Sequence, residues 1–275
     1  MLIFLHIPKT GGSTLIPLID WNYNNQTYSI PVHRKIQTFI DLPNAEKQTI
    51  QALQGQLFYG IHQYIPQDSQ YITILRHPIK RVVSQYFYEN VRKQKLGEPL
   101  SDSPIEHFLE REPFQAYTQL NLIAGGDTIE DALKRPLPVD ALDRAKTNIE
   151  SHFPVVGLID AYDESILLMK RHFGWQRAFY QQKNVNQGRK RFEDFSKATQ
   201  KIIEQACQPE LELYEYAQKR LTSQLEAQDA QFWQDLKTMQ QANQRFTALY
   251  KLAAPIRHTK LWFAAKRILR TLQGN

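Results

Sequence analysis

Apolar and polar positions alternate between short apolar runs and longer segments with helical spacing. Leu2–His6 is apolar, brief and bounded by Pro8, which predicts a buried strand. Tyr71–Leu75 (YITIL) is β-branched and aromatic and predicts a second; Phe153–Leu158 (FPVVGL) predicts a third. Between them the spacing predicts helices from Ser13 to about Asp20, over Asn44–Leu53 with Asn44 as cap, and beyond Pro78, where Val82, Val83, Tyr86 and Phe87 recur at helical intervals. Further helices are expected over about 104–124, 138–150 and Glu164–Phe173. Beyond Lys190 the pattern is helical to the end, with interruptions expected at Pro209 and Pro255. Strands separated by helices imply an α/β protein with a central parallel sheet covered on both faces. No repeat or low-complexity linker divides the chain. It reads as one domain over 1–225 followed by a basic helical extension over 226–275.

Composition changes this picture little. The 275 residues are 42% hydrophobic and 23% charged, ordinary for a soluble globular chain. The single cysteine, Cys207, cannot form an internal disulfide or build a Cys-based zinc site, and reads as a small buried apolar residue. Leu2–Leu5 is too short for a signal-peptide core and lacks a basic lead-in. No run approaches the roughly 20 apolar residues of a membrane span. A cytoplasmic protein is expected.

Charge is more informative by place than by sum. The net charge is +6, yet Leu236–Asn275 holds eight Lys or Arg and no Asp or Glu. The basic balance therefore belongs to the tail and does not signal nucleic-acid binding. In that tail Leu261, Ala265, Ile268, Leu269 and Leu272 share a helical face, with Lys260, Lys266, Arg267 and Arg270 largely elsewhere. Two readings stay open: packing on its own domain or a partner subunit, and peripheral contact with an anionic membrane surface.

The first strand runs into Lys9-Thr10-Gly11-Gly12-Ser13-Thr14. Strand, glycine turn and helix start together make an anion site, because loop N–H groups and the helix dipole converge there. Gly11 and Gly12 allow close approach, Ser13 and Thr14 offer hydroxyls, and Lys9 adds a full charge. In the common nucleoside-triphosphate loop the lysine follows the glycines; here it precedes them. The second strand ends in Arg76, where a nucleoside-triphosphate enzyme usually carries a metal-holding aspartate. Arg76 suits bidentate phosphate contact, and Ser84 follows two helical turns on. Two separated anion sites suggest a nucleotide with a 3′-phosphate and a 5′ anhydride.

HIPKTGGST together with YITILRHPIKRVVSQYFY resembles the sulfotransferases that use 3′-phosphoadenosine 5′-phosphosulfate (PAPS), in the branch containing heparan sulfate 2-O-sulfotransferase and its bacterial relatives. FPVVGLIDAYDESILLMKRHFGW and KNVNQGR extend the resemblance to about Leu221. It implies a three-layer, P-loop-type fold, with Lys9, Thr10, Gly11, Gly12, Ser13 and Thr14 on the sulfuryl end of the donor. Arg76 and Ser84 are then on the 3′-phosphate, and Gly188 and Arg189 on the nucleotide. Lys190 and Arg191 read equally as acceptor contacts or as a solvated basic loop. The run Arg92, Lys93 and Lys95 reads as a solvated helix end. The donor would leave as 3′-phosphoadenosine 5′-phosphate (PAP), with no metal required, and the acceptor would be a hydroxyl of a carbohydrate or glycolipid.

Lys9 would neutralise the bridging oxygen as the S–O bond breaks. The proton of the acceptor hydroxyl needs a base, and histidine, with a pKa of about 6.5, is the natural candidate. Relatives carry a Gly-His pair before the second strand, in patterns such as GHxPFGxH. This chain reads Gly55-Gln56-Leu57-Phe58-Tyr59-Gly60-Ile61-His62, which puts Gln56 at the usual base position and His62 at the second histidine. His62 is expected as catalytic; His33, Glu89 or a group of the acceptor region are the alternatives, and weak or lost catalysis is a third. His77, beside Arg76, reads as a loop-orienting residue. The rival functions are a nucleotide-binding or membrane-associated protein of the same fold, and a nucleotide kinase.

Overall fold

The computed structural model describes residues 1–24, 26–30, 36–95, 104–126, 136–180 and 190–252. The chain begins with β1 (Leu2–Leu5), α1 (Gly12–Tyr23), β2 (Thr27–Ile30), α2 (Gln37–Ile40), α3 (Asn44–Thr49) and β3 (Ala52–Gly55). Strand β4 (Gln70–Leu75) leads into α4 (Pro78–Lys95), α5 (Ile105–Arg111), α6 (Thr118–Ala124) and α7 (Ala141–His152). The last strand, β5 (Val155–Leu158), is followed by α8 (Tyr162–Phe173), α9 (Lys197–Glu226) and α10 (Ala230–Leu252).

The five strands form one parallel sheet in the order β2-β3-β1-β4-β5, flanked by helices. All four residues of β1 are buried, as are those of β3 and β5; these strands are apolar or small except at Gln54, whose buried amide donates to Asp20 and Ser29. That explains one difference from the sequence reading. The helix expected over 44–53 stops at Thr49, and Ala52–Gly55 turns into the strand between β2 and β1. A second difference lies in α9, which continues through Pro209 to Glu226.

Phe232, Leu236 and Met239 of α10 are buried in the same core as the sheet residues. The chain on both sides of the expected 225/226 boundary thus shares one core. A smaller cluster of Ile79, Val82, Val83, Ile105, Phe108, Ile203 and Cys207 packs α4 against α5 and the first half of α9. Cys207 is wholly buried there, and burial pushes its thiol up to about 12. Among the described residues no helix is long and apolar enough to cross a membrane. His33, Gly188, Arg189 and the tail helix beyond Leu252 lie outside the described residues.

Candidate functional site

The carboxyl ends of the parallel strands gather the residues of interest, where ligands bind in open α/β sheets. The loop after β1 reverses direction through two left-handed residues, Lys9 at φ 70° and Gly11 at φ 81°. Glycine takes that conformation freely, whereas a lysine there costs about 1–2 kcal/mol. The Thr10 hydroxyl donates to the Ile7 carbonyl at 2.9 Å and is wholly buried, so Thr10 offers an incoming anion its main chain only. The Thr14 N–H returns to the Gly11 carbonyl at 2.9 Å, closing the first turn of α1.

Gly12 has a steric reason to be glycine. A Cβ built there would lie 2.0 Å from His6 Cδ2 and 2.2 Å from Nε2. The imidazole thus fills the space a side chain would take, with Phe4 stacked beyond it at 5.5 Å between ring centres. Burial, with Lys9 adding to it, pulls the His6 pKa down to about 4, so the ring is neutral at physiological pH.

Beyond β5, Tyr162 opens α8 and lies under the loop. Its ring would contact a Gly11 Cβ at 3.3 Å, and its hydroxyl reaches the Gly11 carbonyl at 3.4 Å. Thr14 also bonds that phenol, whose pKa burial pushes up. Tyr162 was not singled out in the sequence; a tyrosine opening a helix carries no local sign of contact with a loop this far back.

At the end of β4, Arg76 Nη1 donates to the Lys9 carbonyl at 3.2 Å. Lys9 Nζ sits over the Tyr88 ring, 4.1 Å from its centre, a cation–π contact the sequence did not suggest. Lys80, Ser84 and Tyr88 follow at four-residue intervals on α4, so Ser84 lies on the helix face that carries Tyr88 to the loop. The structure therefore groups Lys9, Thr10, Gly11, Gly12, Ser13, Thr14 and Arg76 around one set of strand ends, with Ser84 on the helix that follows. His77 packs against Tyr214 at 5.4 Å between rings, and burial lowers its pKa.

His62, expected as the base, lies apart from these residues. Tyr71 pairs in register with Ile3, near the start of the sheet, whereas Arg76 lies five residues, about 16 Å, further along the strand. His62 sits with Tyr71: its Nδ1 is 2.9 Å from the phenol oxygen, which also accepts the N–H groups of Gly60 and His62. With both lone pairs taken, the hydroxyl proton points to Nδ1. In that arrangement the Nδ1 lone pair is engaged by the Tyr71 hydroxyl. The His152 ring lies tilted beside that of His62, 4.6 Å between centres, and burial, with His152 adding to it, lowers the His62 pKa.

Gln56 is the residue beside the loop. It follows Gly55, which pairs with Leu5 and whose carbonyl accepts the His6 N–H at 2.9 Å. Glu89, the other described alternative, is engaged by Gln85 at 2.9 Å and Arg92 at 3.0 Å on its own helix. Lys190 and Arg191 are exposed.

A family model described as the sulfotransferase family matches residues 1–266, which spans both anion motifs and crosses the 225/226 position. No curated protein matches the chain significantly.

Proposed function

The chain belongs to the sulfotransferase family, and we propose that it takes its sulfuryl group from PAPS and delivers it to a hydroxyl of a carbohydrate or glycolipid. Sulfuryl transfer itself follows from the family. The observation that carries the donor assignment is the Arg76–Lys9 contact, which brings an arginine and a glycine-loop lysine to one ligand's length at the strand ends.

The donor supplies a sulfuryl group on an anhydride with PAP as leaving group. The chain's own residues bind and orient it. Lys9 Nζ, held near the loop by Tyr88, neutralises charge on the bridging oxygen. The main-chain N–H groups at Gly11–Ser13, with the Ser13 hydroxyl, face the sulfuryl oxygens. Arg76 and Ser84 take the 3′-phosphate, a role for which a planar guanidinium is well matched. As the S–O bond to the acceptor forms, that to the bridging oxygen of the leaving phosphate breaks, and the acceptor proton passes to a carboxylate or imidazole of the acceptor-binding region. The Gln56 carboxamide orients the acceptor hydroxyl without taking that proton.

Calorimetry with PAP, and with ATP in the presence and absence of Mg²⁺, tests the donor. Preference for PAP is expected, and preference for ATP with Mg²⁺ would favour the kinase reading instead. Labelled sulfate transfer to a panel of glycans and glycolipids tests the acceptor; transfer to none of them removes it. A glycolipid acceptor suits a basic tail resting on a membrane, and liposome sedimentation of the full chain against one ending near Pro255 tests that contact. Equal binding removes it.

A further inference from the structure

A buried polar network stands behind Arg76. The Gln119 carboxamide, wholly buried in the first turn of α6, clamps the Arg76 main chain. Its Oε1 accepts the Arg76 N–H at 2.9 Å, and its Nε2 donates to the Arg76 carbonyl at 2.9 Å. The same Nε2 donates its second hydrogen to Glu210 Oε1 at 2.8 Å, so the amide has one orientation that satisfies all three partners.

Glu210, reaching in from α9, is the hub. Its Oε2 accepts the N–H groups of Gln119 and Leu120 at 2.6 and 3.1 Å, capping α6. Its Oε1 also takes Arg81 Nε at 3.3 Å, and both side chains of that pair are fully buried. Arg81 stands one turn before Ser84 on α4 and donates as well to the Gln115 carbonyl. Burial pushes the Glu210 carboxyl up, while Arg81 and the amide donors pull it back. Four donors converge on the carboxylate, an arrangement that only the ionised form satisfies.

Stability is a weak reason to keep such a group. Burying an ion pair costs several kcal/mol per ion in desolvation, and well-packed apolar residues often serve as well. What an apolar core does not supply is a fixed geometry among the end of β4, α4 and α6. We propose that Glu210 and Gln119 are positioning residues for the 3′-phosphate of the nucleotide: they set Arg76 and, through Arg81, Ser84 at the separation that receives it. This rests on the reading of Arg76 and Ser84 given above.

The test is the ratio of affinities for PAP and for adenosine 5′-monophosphate, which lacks the 3′-phosphate, measured by calorimetry on the full chain. Arg76→Ala tests the underlying reading and should remove most of the preference; an unchanged ratio overturns that reading and the inference with it. Gln119→Leu preserves volume but leaves the Arg76 N–H and carbonyl unpaired. It should cut the preference for PAP by about fivefold or more, with affinity for the monophosphate held within about twofold. A purely structural role predicts instead that both affinities fall together or neither moves. If Arg76→Ala lowers the ratio and Gln119→Leu does not, the positioning role is wrong while the site assignment stands. Glu210→Gln, isosteric but with one oxygen where the network uses two, is judged by the same ratio and decides the matter should Gln119→Leu fail to fold.

Discussion

The guanidinium of Arg76 donates to the carbonyl oxygen of Lys9 at 3.2 Å, so the residue assigned to one end of the nucleotide also braces the loop assigned to the other. The two ends of the site are therefore mechanically coupled. Arg76→Ala should weaken PAP binding by about 10- to 100-fold, the worth of a charge-assisted contact. It should also lower kcat at saturating donor, because the loop loses its brace. Arg76→Lys keeps the charge but not the planar fork, and should recover only part of both. A kcat unchanged in Arg76→Ala would show that the brace does not matter to turnover.

Lys9 is held left-handed at φ 70°, which separates its backbone role from its amine. Lys9→Ala keeps the strain and loses the charge; Lys9→Gly loses both. Each should cut turnover by about 100-fold or more while weakening PAP binding far less, as removal of a transition-state contact does. Thermal melting should rank Lys9→Gly at or above Lys9→Ala, by about 1 kcal/mol at most. Unchanged turnover in both variants would remove Lys9 from the chemistry.

The loop and the strands on either side of it were legible in the sequence because their signals are local: apolar runs, a glycine pair, an arginine at a strand end. Strand β3 was not. Ala52–Gly55 is buried throughout, so it has no alternation, and it follows α3 so closely that the apolar positions merge into one helical pattern. The contacts of Lys9 with Tyr88 and of Gly11 with Tyr162 join residues far apart in the chain, which no window of sequence can pair. His62 shows the limit of motif spacing. The spacing places it six residues after Gln56 but does not say that the chain travels the length of the sheet between them.

His6 and Gly12 compete for one volume. Gly12→Ala puts a methyl group about where the imidazole ring sits, with His6 Cδ2 at 2.0 Å, and should cost about 1–3 kcal/mol. Combining it with His6→Ala should recover part of that loss, a coupling that a double-mutant cycle by denaturant melts measures. The same ring predicts a pH dependence. Its pKa falls from 6.5 in the unfolded chain to about 4 when folded, so protonation favours unfolding. The contribution is complete above pH 6.5 and declines as pH falls towards 4, by up to ~3 kcal/mol. His6→Asn should flatten that slope, and a slope equal to that of the parent protein would exclude His6 as its source.

Gln56 and His62 make opposite predictions about the base. His62 is at the far end of the sheet with its Nδ1 facing the Tyr71 hydroxyl, so His62→Gln should keep kcat within about threefold and alter stability instead. Gln56 adjoins the loop through Gly55 and His6, and its carboxamide orients a hydroxyl but is not basic near neutrality. Gln56→Ala should therefore lower kcat by about tenfold, the loss of an orienting contact rather than of a general base. Gln56→His places a titratable nitrogen at the same point. It should introduce an ascending limb near pH 6–7 in the kcat/KM profile, the signature of a base that must be deprotonated. A tenfold or larger loss in His62→Gln with folding intact would instead restore His62 to the reaction. The absence of any new limb in Gln56→His would mean that Gln56 does not face the acceptor hydroxyl.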